Sequence, residues 1–229
     1  FWSVMISISS IFFRCLLAEA ESNYFTYQLG SSPLRQVDSY KYLGVTITTT
    51  LSWNKHIYII SSSAFRKLCF VKHKLHNAPS NVKLLAYYSL IRPKLEYESA
   101  VWDPCTQTNI KCPERIQRKA VRFIFNKSSR VDSPSEIMKA NDISLLSTRR
   151  KHVRIDLLSL LLNHKLAIDP SPYLRSLSTR PTRHHHAKSL TPYFCRTDAY
   201  KFSYFPRTVS DWNGTTRASS ENLFLLRSK

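Results

Sequence analysis

Apolar residues fall at Trp53, Ile57, Ile60, Ala64, Leu68, Val71 and Leu75, in steps of four and three that line one stripe of an α-helix. Ser52 stands where an N-cap belongs, and Asn77-Ala78-Pro79 where the helix must stop. Lys55, Arg66, Lys72 and Lys74 lie off the stripe, on the expected solvent side. A second helix is expected from about Ser80 to Ile91, with Pro93 breaking or kinking it. Residues 103–109 read as a loop, in which Asp103 has a helix-ending or turn role.

Residues 113–125 predict a third helix with Pro113 in its first turn, where the ring is tolerated. Ile116, Ala120 and Phe123 or Ile124 face inward, and Arg115, Arg118, Lys119 and Arg122 form one basic ridge outside. Ser133, Pro134 and Glu136 have the order of a capping box. Residues 145–168 read as another amphipathic helix, and from residue 170 the chain turns rich in Pro, Ser, Thr and Arg.

Ahead of the helices the period is that of strands. Residues 24–29 predict one strand, Gly30 to Pro33 a turn, and residues 34–37 and 40–48 further strands. Gly44, one of three glycines, falls inside "YKYLGVTIT". A glycine inside a strand marks a bend or a place where another backbone comes close.

The pattern predicts an α+β fold, mainly α. A small antiparallel β-hairpin unit comes first, then a helical bundle and a loosely packed C-terminal extension. The segments are 1–22 (atypical and apolar), 23–50 (the β unit), 51–130 and 131–169 (helices) and 170–229 (the extension). Residues 1–20 look in part like a signal segment but carry Arg14 and lack a basic start; they read as the edge of a larger protein's core.

Charge changes the picture most. Thirty-four Lys plus Arg against 15 Asp plus Glu leave a formal charge of +19, which repels itself until a polyanion neutralises it. Nucleic acid is the expected partner, with phosphate contacts dominating. No membrane partner is expected, and an intracellular location follows from five scattered cysteines with no CxxC spacing. Cys69, His73 and His76 could share a helix face, but no fourth ligand is in view. No metal site, cofactor or catalytic residue is expected. No glycine-rich phosphate loop, HExxH, GxSxG or Asp-Asp pair occurs.

Four stretches in order, "SYKYLGVTIT…LSWNKHI", "NVKLLAYYSLIRPKLEYESAVWDP", "ERIQRKAVRFIFN" and "FPRTVSDWN", resemble the downstream half of reverse transcriptases from non-LTR (LINE-type, jockey-like) retrotransposons, with the tick transposon group the nearest in look. The resemblance covers about residues 24–213. It implies that Tyr42, Leu43 and Gly44 form the primer grip at the end of the palm. Residues 51–130 would be the thumb and residues 131–169 post-thumb helices. Lys55, Arg66, Lys72, Lys74, Arg115, Arg118, Lys119 and Arg122 would meet an RNA–DNA or DNA duplex. It also implies that Gly44 clears room for the primer backbone. The chain would need the palm and fingers of the same polyprotein for synthesis, where the intact polymerase uses Mg²⁺. Two other readings stay open: an independent basic helical nucleic-acid-binding protein, and a secreted or membrane-surface cationic protein.

Overall fold

The computed structural model describes residues 28–33, 37–127, 132–177 and 188–214. It is α+β and mainly helical. Strands β1 (Gln28–Leu29) and β2 (Ser32–Pro33) pair antiparallel, as do β3 (Ser39–Tyr42) and β4 (Val45–Thr48). The helices are α1 (Asn54–Lys74), α2 (Ser80–Ala86), α3 (Arg92–Glu96), α4 (Ser99–Trp102), α5 (Gln107–Ile124), α6 (Pro134–Ala140), α7 (Leu146–Leu162), α8 (Asp198–Lys201) and α9 (Tyr204–Asn213). The described residues divide into two units, one up to residue 150 and one from residue 151.

The stripe on α1 does what its spacing requires. Ile57, Ala64, Leu68 and Val71 are buried, and the last three join Tyr87, Ile91, Leu95, Ile116, Ala120, Ile124 and Leu146 in one core. Ile57 packs instead with Val45 of β4 and Trp102 of α4, which seats the hairpin on the first turns of α1. The helix begins one residue later than Ser52 implies. Trp53 is the cap, and the Ser52 hydroxyl accepts from the Asn54 amide at 3.3 Å.

Pro93 does not break the second helix. Between α2 and α3 lies a π-helical turn, Tyr87–Ile91, in which the Arg92 amide donates to the Tyr87 carbonyl. This i→i+5 bond widens the coil one residue ahead of the proline. The ring, which has no N–H and would clash with the preceding turn, then enters an already loosened ladder. The helical path runs on to Glu96.

α5 begins six residues ahead of Pro113, so residues 107–109 are helical and the proline lies inside the helix. Thr106, extended at φ −79° and ψ 140°, precedes the first turn. Ser133 caps α6 by position, but its side chain accepts no hydrogen bond there, so the expected capping box is not formed. α7 ends at Leu162, short of residue 168.

In the second unit, the part of the expected loose extension that is described packs tightly. Leu174, Leu190, Phe205, Val209 and Trp212 are buried with Ile155, Leu158 and Leu161. Polar groups of the "SDWN" stretch fix this core. The Trp212 indole donates to the Lys188 carbonyl at 2.9 Å, and Asn213 both accepts from the Leu190 amide and donates to its carbonyl. A side-chain amide here replaces a missing strand partner, which composition does not reveal.

Candidate nucleic-acid interface

α1 and α5 lie side by side and parallel. Near their starts the Asn109 side chain donates to Asn54 Oδ1 at 2.6 Å. Farther along, Lys119 Nζ sits 4.7 Å from the Phe65 ring centroid, and Lys72 Nζ lies 5.9 Å from that of Phe123. The offset between partners stays near constant, as two parallel helices demand. Between them they carry ten lysines and arginines: Lys55, Arg66, Lys67, Lys72 and Lys74 on α1, and Lys111, Arg115, Arg118, Lys119 and Arg122 on α5. α1 has no carboxylate, and α5 has only Glu114, which is buried and accepts from the Ser147 amide at 2.8 Å.

The ridge on α5 stands as its spacing implies. Residues 115, 118, 119 and 122 fall within about one third of the helix circumference, opposite buried Ile116, Ala120 and Ile124. Arg115, Arg118 and Lys119 are exposed, while Arg122 is half-buried and donates to the Asp132 carbonyl at 3.3 Å. Lys111 joins the same row four residues before Arg115, and it is exposed. Reading Pro113 as the first turn hid it, although the i,i+4 step to Arg115 was visible.

The α1 cations do not form a single row. Lys55 and Arg66 are eleven residues apart, about three full turns, and project together away from the core. Lys72 instead leans toward α5, and Lys74 toward the opposite flank. Lys55 donates to the Ser39 hydroxyl of β3 at 2.6 Å, so the basic surface continues to the hairpin. Tyr58 is 72% exposed on the same helix, two turns before Phe65.

Gly44 is not inside a strand. Tyr42 pairs with Val45, leaving Leu43 and Gly44 as a two-residue turn with φ of +45° and +88°. Such hairpin turns need both central residues at positive φ, which the right-handed twist of the strands selects. What approaches Gly44 is a side chain of the same molecule. A Cβ there would meet Tyr97 Cε1 at 3.0 Å, and the Tyr97 hydroxyl donates to the Leu43 carbonyl at 3.0 Å. Tyr42 is half-buried and Leu43 exposed. Sequence reasoning missed Tyr97, fifty-four residues downstream of Leu43.

Behind the hairpin, His56 is buried against Trp102, with ring centroids 5.3 Å apart. Its Nδ1 accepts from the Thr46 amide at 3.2 Å, so the ring must be neutral on that nitrogen. Burial pushes its pKa down to about 4. Asp103 ends α4, as a helix-ending role implies, and is also buried and ion-paired to Arg150 of α7 at 2.8 Å. Arg150 also lies 5.7 Å from the Trp102 ring centroid.

No group of three or more His, Cys, Asp or Glu able to hold a metal exists among the described residues, so Cys69, His73 and His76 do not converge. Among those residues no helix is long and apolar enough to cross a membrane. Comparison with protein-family models, curated proteins and solved structures finds no match for this chain.

Proposed function

We propose that the protein binds nucleic acid through the joined outer surface of α1 and α5, and that it is the primer-grip, thumb and post-thumb part of a LINE-type reverse transcriptase. One observation carries the binding reading. Two adjacent parallel helices bear ten cations and a single carboxylate, which is turned into the core. A solvated helix surface intersperses both signs to limit self-repulsion. A surface with one sign over two helices lowers its energy by meeting a polyanion whose charges run in a line. An RNA–DNA or DNA duplex offers such lines. The cations are distributed along helices rather than gathered into a base-reading motif, so contact falls on phosphates.

The four ordered sequence stretches support the polymerase ancestry. In that reading the β3–β4 hairpin meets the primer through exposed Leu43 and the strand ends beside it. Gly44 serves the turn rather than the primer.

The test is a salt titration of binding to an RNA–DNA duplex of arbitrary sequence. Log affinity should fall against log salt with a slope near −0.9 for each phosphate neutralised, and replacing Arg115 and Arg118 by Gln should flatten it by about 2. A flat salt response, or a strong preference for one sequence, would overturn the reading.

A further inference from the structure

We infer that the α1–α5 surface takes up unpaired nucleic-acid strand, stacking a base on Tyr58 while the surrounding cations hold its phosphates. The inference rests on the phosphate-binding reading of that same surface and narrows its ligand from any polyanion to one with free bases.

Tyr58 is the reason. Its ring is 72% exposed, more than Ile59 at 43%, Phe65 at 41% and Phe70 at 57% on the same helix. Among the described residues its side chain joins no core cluster and makes no hydrogen bond or ring contact. Lys55 lies three residues before it, one turn of helix away. Phe65 follows two turns later, about 10 Å along the axis, with Lys119 of α5 over its ring. Aromatic rings interleaved with cations are the arrangement by which proteins hold single strands without reading sequence, because every base has a face to stack. A closed duplex has its bases already stacked on one another and presents only phosphate and sugar along its sides. An exposed ring gains little from it.

The cations also argue against an apolar protein partner. Burying this patch against apolar protein would desolvate Lys55, Arg66 and Lys119 with no counter-charge. A strand supplies the counter-charge and the stacking partner together.

The experiment compares four fluorescent ligands at one salt concentration: a 20-nucleotide single strand, the same strand with abasic sites throughout its middle, a blunt duplex, and the duplex with a single-stranded overhang. The wild-type chain should bind the intact strand and the overhang duplex about tenfold more tightly than the abasic strand and the blunt duplex. Tyr58→Ala should erase that advantage and leave blunt-duplex affinity within about twofold, while Tyr58→Phe should keep it. An unchanged melting temperature establishes that the variant is folded, as truncating so exposed a ring should allow. Equal binding of intact and abasic strands overturns the inference and leaves duplex binding standing. So does an equal loss on strand and duplex in Tyr58→Ala. Failure to bind any of the four overturns both readings, and strand binding without duplex binding overturns only the duplex one.

Discussion

A side chain at residue 44 faces two separate penalties. The φ of +88° is unfavourable for any residue with a Cβ, and Tyr97 stands 3.0 Å from where that Cβ would lie. Gly44→Val should therefore destabilise the fold by about 2 kcal/mol, seen as a melting temperature several degrees lower. Affinity per folded molecule should be unchanged. If affinity falls while stability holds, space rather than conformation is what the glycine supplies. Leu43 carries the same strain without relief, at φ +45° with its side chain exposed. Leu43→Asn should raise stability by about 0.5 kcal/mol, because Asn tolerates that region and keeps the carbonyl that Tyr97 binds. His56 gives the fold a pH dependence. Its pKa is about 4 when folded against an ordinary 6.5, so between those values the unfolded chain binds the extra proton and stability falls as pH falls. The loss should reach about 3 kcal/mol at most from pH 7 to pH 4. Denaturant titrations at several pH values measure it, and His56→Asn, whose side-chain oxygen can accept from Thr46, should flatten this part of the curve.

At the scale of elements, α5 turns Lys111, Arg115, Arg118 and Lys119 outward and its apolar residues inward, with Glu114 its one buried charge. Reversing charge outside should therefore cost binding and spare folding. Arg115→Glu with Arg118→Glu should weaken duplex affinity by a hundredfold or more at low salt, since two attractions become repulsions. The melting temperature should hold or rise, because the self-repulsion among Lys111, Arg115, Arg118 and Lys119 is relieved. Fluorescence anisotropy and thermal denaturation on one preparation check both halves. A fall in both would mean that the ridge is part of the packing. The π-helical turn belongs to this scale as well. It directly precedes Arg92 and Pro93, and the Arg92 guanidinium lies 5.1 Å from the ring centroid of Tyr88 within it.

For the molecule as a whole, each unit buries an arginine of α7 against a carboxylate distant in sequence. In residues 25–150 the pair is Arg150 with Asp103. In the other unit Arg154 and Lys151 both meet Asp211 at 2.9 Å. Burial raises the Asp211 pKa, but the two cations outweigh it and hold the carboxyl below its usual value. Asp103→Asn leaves Arg150 buried without its counter-charge and should cost about 3–5 kcal/mol. Asp103→Leu combined with Arg150→Met should recover most of that loss, because neither group then needs water or a partner. A double-mutant cycle in denaturant measures the coupling.

The sequence by itself determined whatever repeats with the period of a helix or follows from composition. The stripe on α1, the inward residues and basic ridge of α5, the strand character of residues 40–42 and 45–48 and the excess of positive charge were all legible, since each is set by neighbours within a turn or two or by composition. Only the tertiary structure decided what depends on distant partners. It showed that Lys111 extends the ridge through Pro113, that a π-helical turn carries the chain past Pro93, and that Tyr97 closes on Gly44. It also paired Asp103 with Arg150, and brought Leu174, Leu190, Phe205, Val209 and Trp212 into a core held by the amide of Asn213. In each case the local signal was the same as that of a simpler outcome. A proline reads as a break, and a glycine in a strand as a gap. The choice between outcomes falls to contacts as far as fifty-four residues away, whose free energy exceeds the local preference.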